Sequence, residues 1–256
     1  MTKGLLDYTR LIEVVSSETE LLAASAEGRR PERQVPACPG LNLGETVRHV
    51  GSLCRMATEW VSTGRQPLDW QQDPDPGQSL SDYVRASAVP LAETLMSRSA
   101  DDPCETWWPE DPTCGFWARR IAHEATVHRM DVQAAAGLPV DPVPDDVAED
   151  GVDEVLSFWL GHRLAVMGVS GTRDATVSIR VGSRVWLTHT GPTPSQAWRA
   201  TPEETESADA EVTGTPMAVY RWLWGRIPDR EVEAVGDHDA IAQLWALLRL
   251  ATKTTK

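Results

Sequence analysis

Within the stretch RRIAHEATVHRMD, residues 119–131, Glu124 and His128 stand four residues apart. On a helix of 3.6 residues per turn this spacing stacks the two side chains one turn apart and about 40° apart in azimuth, so they project together. The apolar stripe of the same segment runs Trp117, Ile121, Val132 and Ala135, and Glu124, His128 and Asp131 fill its intervening positions. They face the core. A carboxylate buried without compensation is unstable by several kcal/mol, so protonation, a cationic partner or a metal must accompany it. His123, about 140° around the helix from His128, cannot share a metal with it and reads as a rim or packing residue. A second inward histidine, His49, aligns with Leu53, Ala57 and Trp60 on another helical stripe. If the two helices are neighbours, His49, Glu124 and His128 converge. Two imidazoles and one carboxylate suit a divalent metal and leave a coordination position open for a reactive ligand. Two blander or different readings stand beside this one: a Glu/His pair at i, i+4 is often only a partly exposed helix pair, and the same ligand set serves non-haem iron oxygenases.

The elements that must position these residues follow from periodicity. Helical apolar spacing covers residues 4–27, about 43–63, about 80–100 with a cap at Ser79 or Ser81, and about 116–136 with a stop at Gly137. A fifth helix begins near Asp145 and continues to about Val169. The Pro/Gly-rich connectors GRRPERQVPACPG, RQPLDWQQDPDPGQ and DDPCETWWPEDPTCG separate the first four. This predicts a four-helix bundle with an extra helix over 1–172. The period then changes to two: ATVSIRV and RVWLTHT flank Gly182-Ser183 as a β-hairpin, ADAEVTG and EVEAV read as strands, and PMAVYRWLWGR and DHDAIAQLWALLRL as helices. Residues 173–256 are thus a small α+β domain, and the fold class is α+β.

The bulk numbers narrow the function. A chain of 256 residues with 41% hydrophobic content can bury a core. A net charge of −14 repels phosphate backbones and anionic lipid, so no nucleic-acid and no membrane partner is expected, and a small molecule is. No apolar run approaches a membrane span, and MTKGLLDYTRLIEVV lacks a signal peptide's layout, so a cytoplasmic protein is expected. Cys38, Cys54, Cys104 and Cys114 show no metal-like spacing and read as free thiols. Several of the eleven tryptophans fall on helix stripes where core packing explains them, so the default oligomeric state is a monomer.

Leu43 to Trp60 with His49, FWARRIAHEATVHRMDVQAAAG at 116–137 and ADAEVTGTPMAVYRWLWGR near the end together resemble the mycothiol-dependent maleylpyruvate isomerase-like family. The second helix departs from the family pattern, with Leu41 and Leu43 where a tryptophan is often found. The resemblance implies a DinB-like metal-binding bundle followed by a sterol-carrier-like α+β domain. It further implies that residues matching His49, Glu124 and His128 hold a divalent metal, usually zinc, whose open position receives the thiol of mycothiol. The implied enzyme activates that thiol for attack on an electrophilic small molecule, as a cis–trans isomerase or an S-transferase.

Other candidate residues have two readings each. Arg226 in WLWGR best matches the family's carboxylate-binding arginine, with Arg221 as the alternative; either can instead be a surface ion-pair partner. Asp131 can accept the second ring N–H of His128, or pair with Arg129 or Arg120. Trp107 and Trp108 can wall a thiol pocket or plug the core beside a Pro-rich turn. A non-catalytic binding module with a structural metal is the competing account of the whole chain.

Overall fold

The computed structural model describes residues 4–252. The chain forms two compact units, Met1–Pro142 and Val143–Lys256. The first is built from α1 (Tyr8–Ala26), α2 (Leu43–Thr63), α3 (Leu80–Met96) and α4 (Cys114–Ala136). Side-chain caps start all four: Asp7, Asn42, Ser79 and Thr113 accept from backbone N–H groups of the first turn. Asn42 and Glu45 complete a reciprocal capping box on α2. The third helix is capped by Ser79; Ser81 is buried and donates instead to the Ala23 carbonyl at 3.0 Å. Gly64 and Gly137 end α2 and α4 with φ of 71° and 72°, a backbone state where a side chain is strained.

Two packing features hold this bundle in register. Arg129 is fully buried and donates to Glu18 at 2.7 Å, to Gln133 at 3.0 Å and to the Asp141 carbonyl at 2.8 Å, tying α1 and the segment after α4 to α4 itself. At the α2–α3 crossing, Gly51 lies so close to the Tyr83 ring that a Cβ there would stand 2.3 Å from it. Next to that contact the Ser52 hydroxyl and the Tyr83 hydroxyl both donate to the Gln72 carbonyl at 3.0 Å, and Arg55 binds the Gln72 side chain. The loop after α2 is pinned where it passes α2.

The second unit begins with α5 (Asp145–Glu154), which continues through a π-helical segment, Val155–Arg163, into α6 (Leu164–Val166). Strands β1 (Ala175–Val181), β2 (Arg184–Thr190), β3 (Gln196–Arg199), β4 (Ala210–Gly214) and β5 (Glu233–Gly236) form one sheet in the order β3-β2-β1-β4-β5. Only the β1–β4 pair is parallel. Helices α7 (Pro216–Leu223) and α8 (His238–Ala251) complete the unit. The α+β class, the hairpin around Gly182-Ser183 and the later strands and helices match the expectation. Strand β3 has no counterpart in it, because the four residues QAWR are too short to show a period.

The unit boundary lies at Pro142/Val143, earlier than the expected 172/173. The physical reason is α5. Its buried Asp153 accepts from Trp186 Nε1 at 2.8 Å and from Arg199 at 2.6 and 2.9 Å, locking it to β2 and β3. Its Gly151 backs onto the Tyr220 ring of α7. The fifth helix therefore packs on the sheet domain. Among the described residues, no helix is long and apolar enough to cross a membrane.

Candidate metal centre

Helices α2 and α4 are neighbours. His49 and Glu124 meet across that pair. The Nε2 of His49 lies 3.1 Å from Glu124 Oε1, and the Nε2 of His128 lies 3.2 Å from the same oxygen. The two imidazole rings stand edge to face, with centroids 5.2 Å apart. Among the described residues, His49, Glu124 and His128 are the metal-ligating side chains that converge, with one ligand atom from each inside 4.8 Å of the others.

A second layer of contacts fixes each of the three. Arg120, one turn before Glu124 and 1% exposed, donates from Nη2 to Glu124 Oε2 at 2.5 Å. Asp131 Oδ2 lies 3.1 Å from His128 Nδ1, which leaves the Nε2 of that ring as the atom facing Glu124. The Trp70 ring packs edge-on against His49 at 5.8 Å. Burial by itself raises the Glu124 carboxyl. The Arg120 guanidinium and hydrogen bonds from His128 and His49 outweigh it and hold the group well below the usual carboxylate range. Burial likewise opposes the charged form of His128, but its bonds to Asp131 and Glu124 prevail and push its pKa up to about 9. Two imidazole nitrogens and an anionic oxygen brought together, with the outer atoms of Glu124 and His128 held by Arg120 and Asp131, fit a divalent cation of the zinc type.

Two family models cover most of the chain: the mycothiol maleylpyruvate isomerase N-terminal domain matches residues 14–133, and the MDMPI C-terminal domain matches residues 146–243. The chain belongs to the mycothiol maleylpyruvate isomerase family. The region matched by the N-terminal model contains His49, Arg120, Glu124, His128 and Asp131, so the whole cluster lies inside one matched region. A crystal structure of the mycothiol-dependent maleylpyruvate isomerase matches 93% of this chain and 97% of its own, with 14% identity and a TM-score of 0.61. A histidine-to-alanine mutant of that enzyme matches over the same shares with a TM-score of 0.60. At this identity the likeness establishes the fold. No curated protein matches the chain significantly by sequence.

Asp131 stands on His128 as one of its two expected readings. His123 is fully buried and packs in the core; it is not a rim residue. Trp107 is not brought to the cluster. It packs edge-on against Trp60 at 6.1 Å and Trp117 at 5.0 Å, which lie roughly 16 Å and 10 Å along α2 and α4 from His49 and Glu124 at 1.5 Å per residue. Trp108 lines a separate cavity of about 520 Å³ with Tyr8, Leu11 and Arg119. The tryptophan that does flank the cluster is Trp70, which the sequence reading missed because the loop PLDWQQDPDPG carries no period. Arg226 lies in the second unit, its guanidinium 5.7 Å over the Trp224 ring and bonded to the Trp224 carbonyl at 2.6 Å; Arg221 sits in the last turn of α7. All four cysteines are free, and burial pushes Cys54 up to about 12 and Cys114 up to about 11, which leaves both poor nucleophiles.

Proposed function

We propose that this chain is a metal-dependent enzyme that activates mycothiol for attack on a small electrophile, acting as a cis–trans isomerase. The observation that carries the reading is the convergence of His49, Glu124 and His128 inside 4.8 Å. Burial raises the thiols of Cys54, Cys104 and Cys114, which makes these three poor nucleophiles and is in keeping with a thiol supplied by a cosubstrate. A zinc-type cation held by the three residues supplies one thing, the stabilisation of a thiolate at neutral pH. The chain's own residues do the rest. Asp131 accepts the Nδ1–H of His128 and so keeps the Nε2 lone pair free for ligation. Glu124 contributes one negative oxygen, and the Trp70 ring packs edge to face against His49. For the electrophile's carboxylate, the family resemblance nominates Arg226, with Arg221 as alternative, since a guanidinium offers a planar two-donor fork.

The isomerisation balances without any other reagent. The sulfur of the thiolate bonds to one carbon of a conjugated cis double bond, and the π pair moves onto the adjacent carbonyl. Rotation about the new single bond follows. The pair then returns, the carbon–sulfur bond breaks and the trans product leaves with the thiol regenerated. Maleylpyruvate, the substrate named for the crystallised relative, represents the class: a small acid with a conjugated cis double bond. Should the adduct leave intact, the same site is an S-transferase, and mycothiol is then consumed one for one.

Purified protein should carry about one zinc per chain, and Glu124→Ala or His128→Ala should abolish mycothiol-dependent isomerisation while the protein stays folded. Undiminished turnover in a metal-free variant would overturn the proposal. A tightly held metal without any binding of mycothiol would favour the non-catalytic module.

A further inference from the structure

Glu124 is engaged from two sides by groups of opposite purpose. Its Oε1 faces both imidazole Nε2 atoms at 3.1 and 3.2 Å, and its Oε2 receives Arg120 Nη2 at 2.5 Å. Arg120 is 1% exposed, on the same helix one turn earlier, within a segment where nearly every residue is buried. A guanidinium in such surroundings is strongly disfavoured unless an anion compensates it, so the pair is bound together by more than a surface contact. A carboxylate free to rotate about its last torsion offers a cation either oxygen or both. Here one oxygen is already occupied. The carboxylate is oriented by a buried partner on its second oxygen.

We propose that Arg120 is a positioning residue of the metal centre: by holding Oε2 it restricts Glu124 to a single ligating oxygen, Oε1, aimed between His49 and His128. The inference rests on reading the cluster as a metal centre. Its sign separates positioning from mere charge. By Coulomb's law alone, removing a positive group beside a divalent cation should tighten binding. If positioning governs, removing it should weaken binding, because the carboxylate loses its fixed orientation.

The test compares wild type, Arg120→Met and Arg120→Lys. Zinc affinity is read by competition with a chromophoric chelator, and coordination by the visible spectrum of the cobalt-substituted protein, with circular dichroism confirming the fold. Zinc affinity is expected to fall about 10- to 100-fold in Arg120→Met, in the range found for partners that orient metal ligands, with altered cobalt band intensities. Arg120→Lys keeps the charge but lacks the flat fork and is expected to fall by less, though by more than twofold. Affinity within twofold of wild type, or tighter, with an unchanged cobalt spectrum in Arg120→Met would overturn the proposal. Should that variant fail to fold, Arg120→Lys decides on the same criterion. Absence of zinc binding by wild-type protein would instead sink the metal-centre reading itself, so the two failures are distinct.

Discussion

At the scale of single residues, the cluster's behaviour is set by what binds its outer atoms. Asp131→Asn leaves His128 with an amide in place of a carboxylate at Nδ1, and zinc affinity should drop about 10- to 100-fold with little change in melting temperature. Calorimetric zinc titration of the folded variant checks this, and unchanged affinity would show Asp131 to be merely a packing partner. The raised pKa of His128, about 9 in the metal-free protein, adds a pH dependence. Below that value the imidazole holds a proton that a metal must displace. Zinc affinity should therefore climb with pH through neutrality by up to about one decade per unit and level off once His128 is neutral. Competition titrations at successive pH values measure that slope, and a flat profile would contradict it. The spacing of Glu124, His128 and Asp131 was legible in sequence because a helix converts four-residue intervals into a shared direction. Arg120's bond to Glu124 shares that interval and could have been found by the same rule. Trp70 could not, since its place depends on a loop held by Ser52 and Tyr83.

At the scale of elements, the site depends on how closely α2 approaches its neighbours. Gly51→Ala places a methyl group against the Tyr83 ring, where the Cβ would stand 2.3 Å from a ring carbon. The ring must move, and its hydroxyl is one of the groups that holds Gln72. The variant should lose about 1–3 kcal/mol of stability, as overpacked cores do. Chemical denaturation measures the loss. Destabilisation without a change in the Trp70 signal, read as the fluorescence difference between proteins with and without Trp70→Phe, would separate packing from loop placement. Breaking the Arg129–Glu18 pair with Arg129→Met strands a buried carboxylate and should be more severe, about 3–5 kcal/mol. Helix positions were legible from apolar period and caps. The end of α3 at Met96 and the short strand β3 were not, because neither carries a stop signal or a period of its own.

At the scale of the whole chain, the two units and the two matched family domains agree: residues 14–133 fall within the first unit and 146–243 within the second. The expected boundary at 172/173 failed for a physical reason. Residues 145–166 have a helical period that fits a bundle as well as a sheet cover, and only tertiary partners such as Trp186 and Arg199 on Asp153 assign them. Since His49, Glu124 and His128 all precede Pro142, a fragment of residues 1–142 should bind zinc with the same one-to-one stoichiometry as the full chain. Loss of stoichiometric binding in a folded fragment would place an essential ligand outside the cluster. The central claim is that this cluster presents a metal to an external thiol. Zinc-edge X-ray absorption of the full chain, without and with saturating mycothiol, tests it most directly. The account predicts a nitrogen/oxygen shell that gains one sulfur neighbour at about 2.3 Å when mycothiol is added. A shell that stays free of sulfur at saturation, or a protein that holds no zinc, would contradict it.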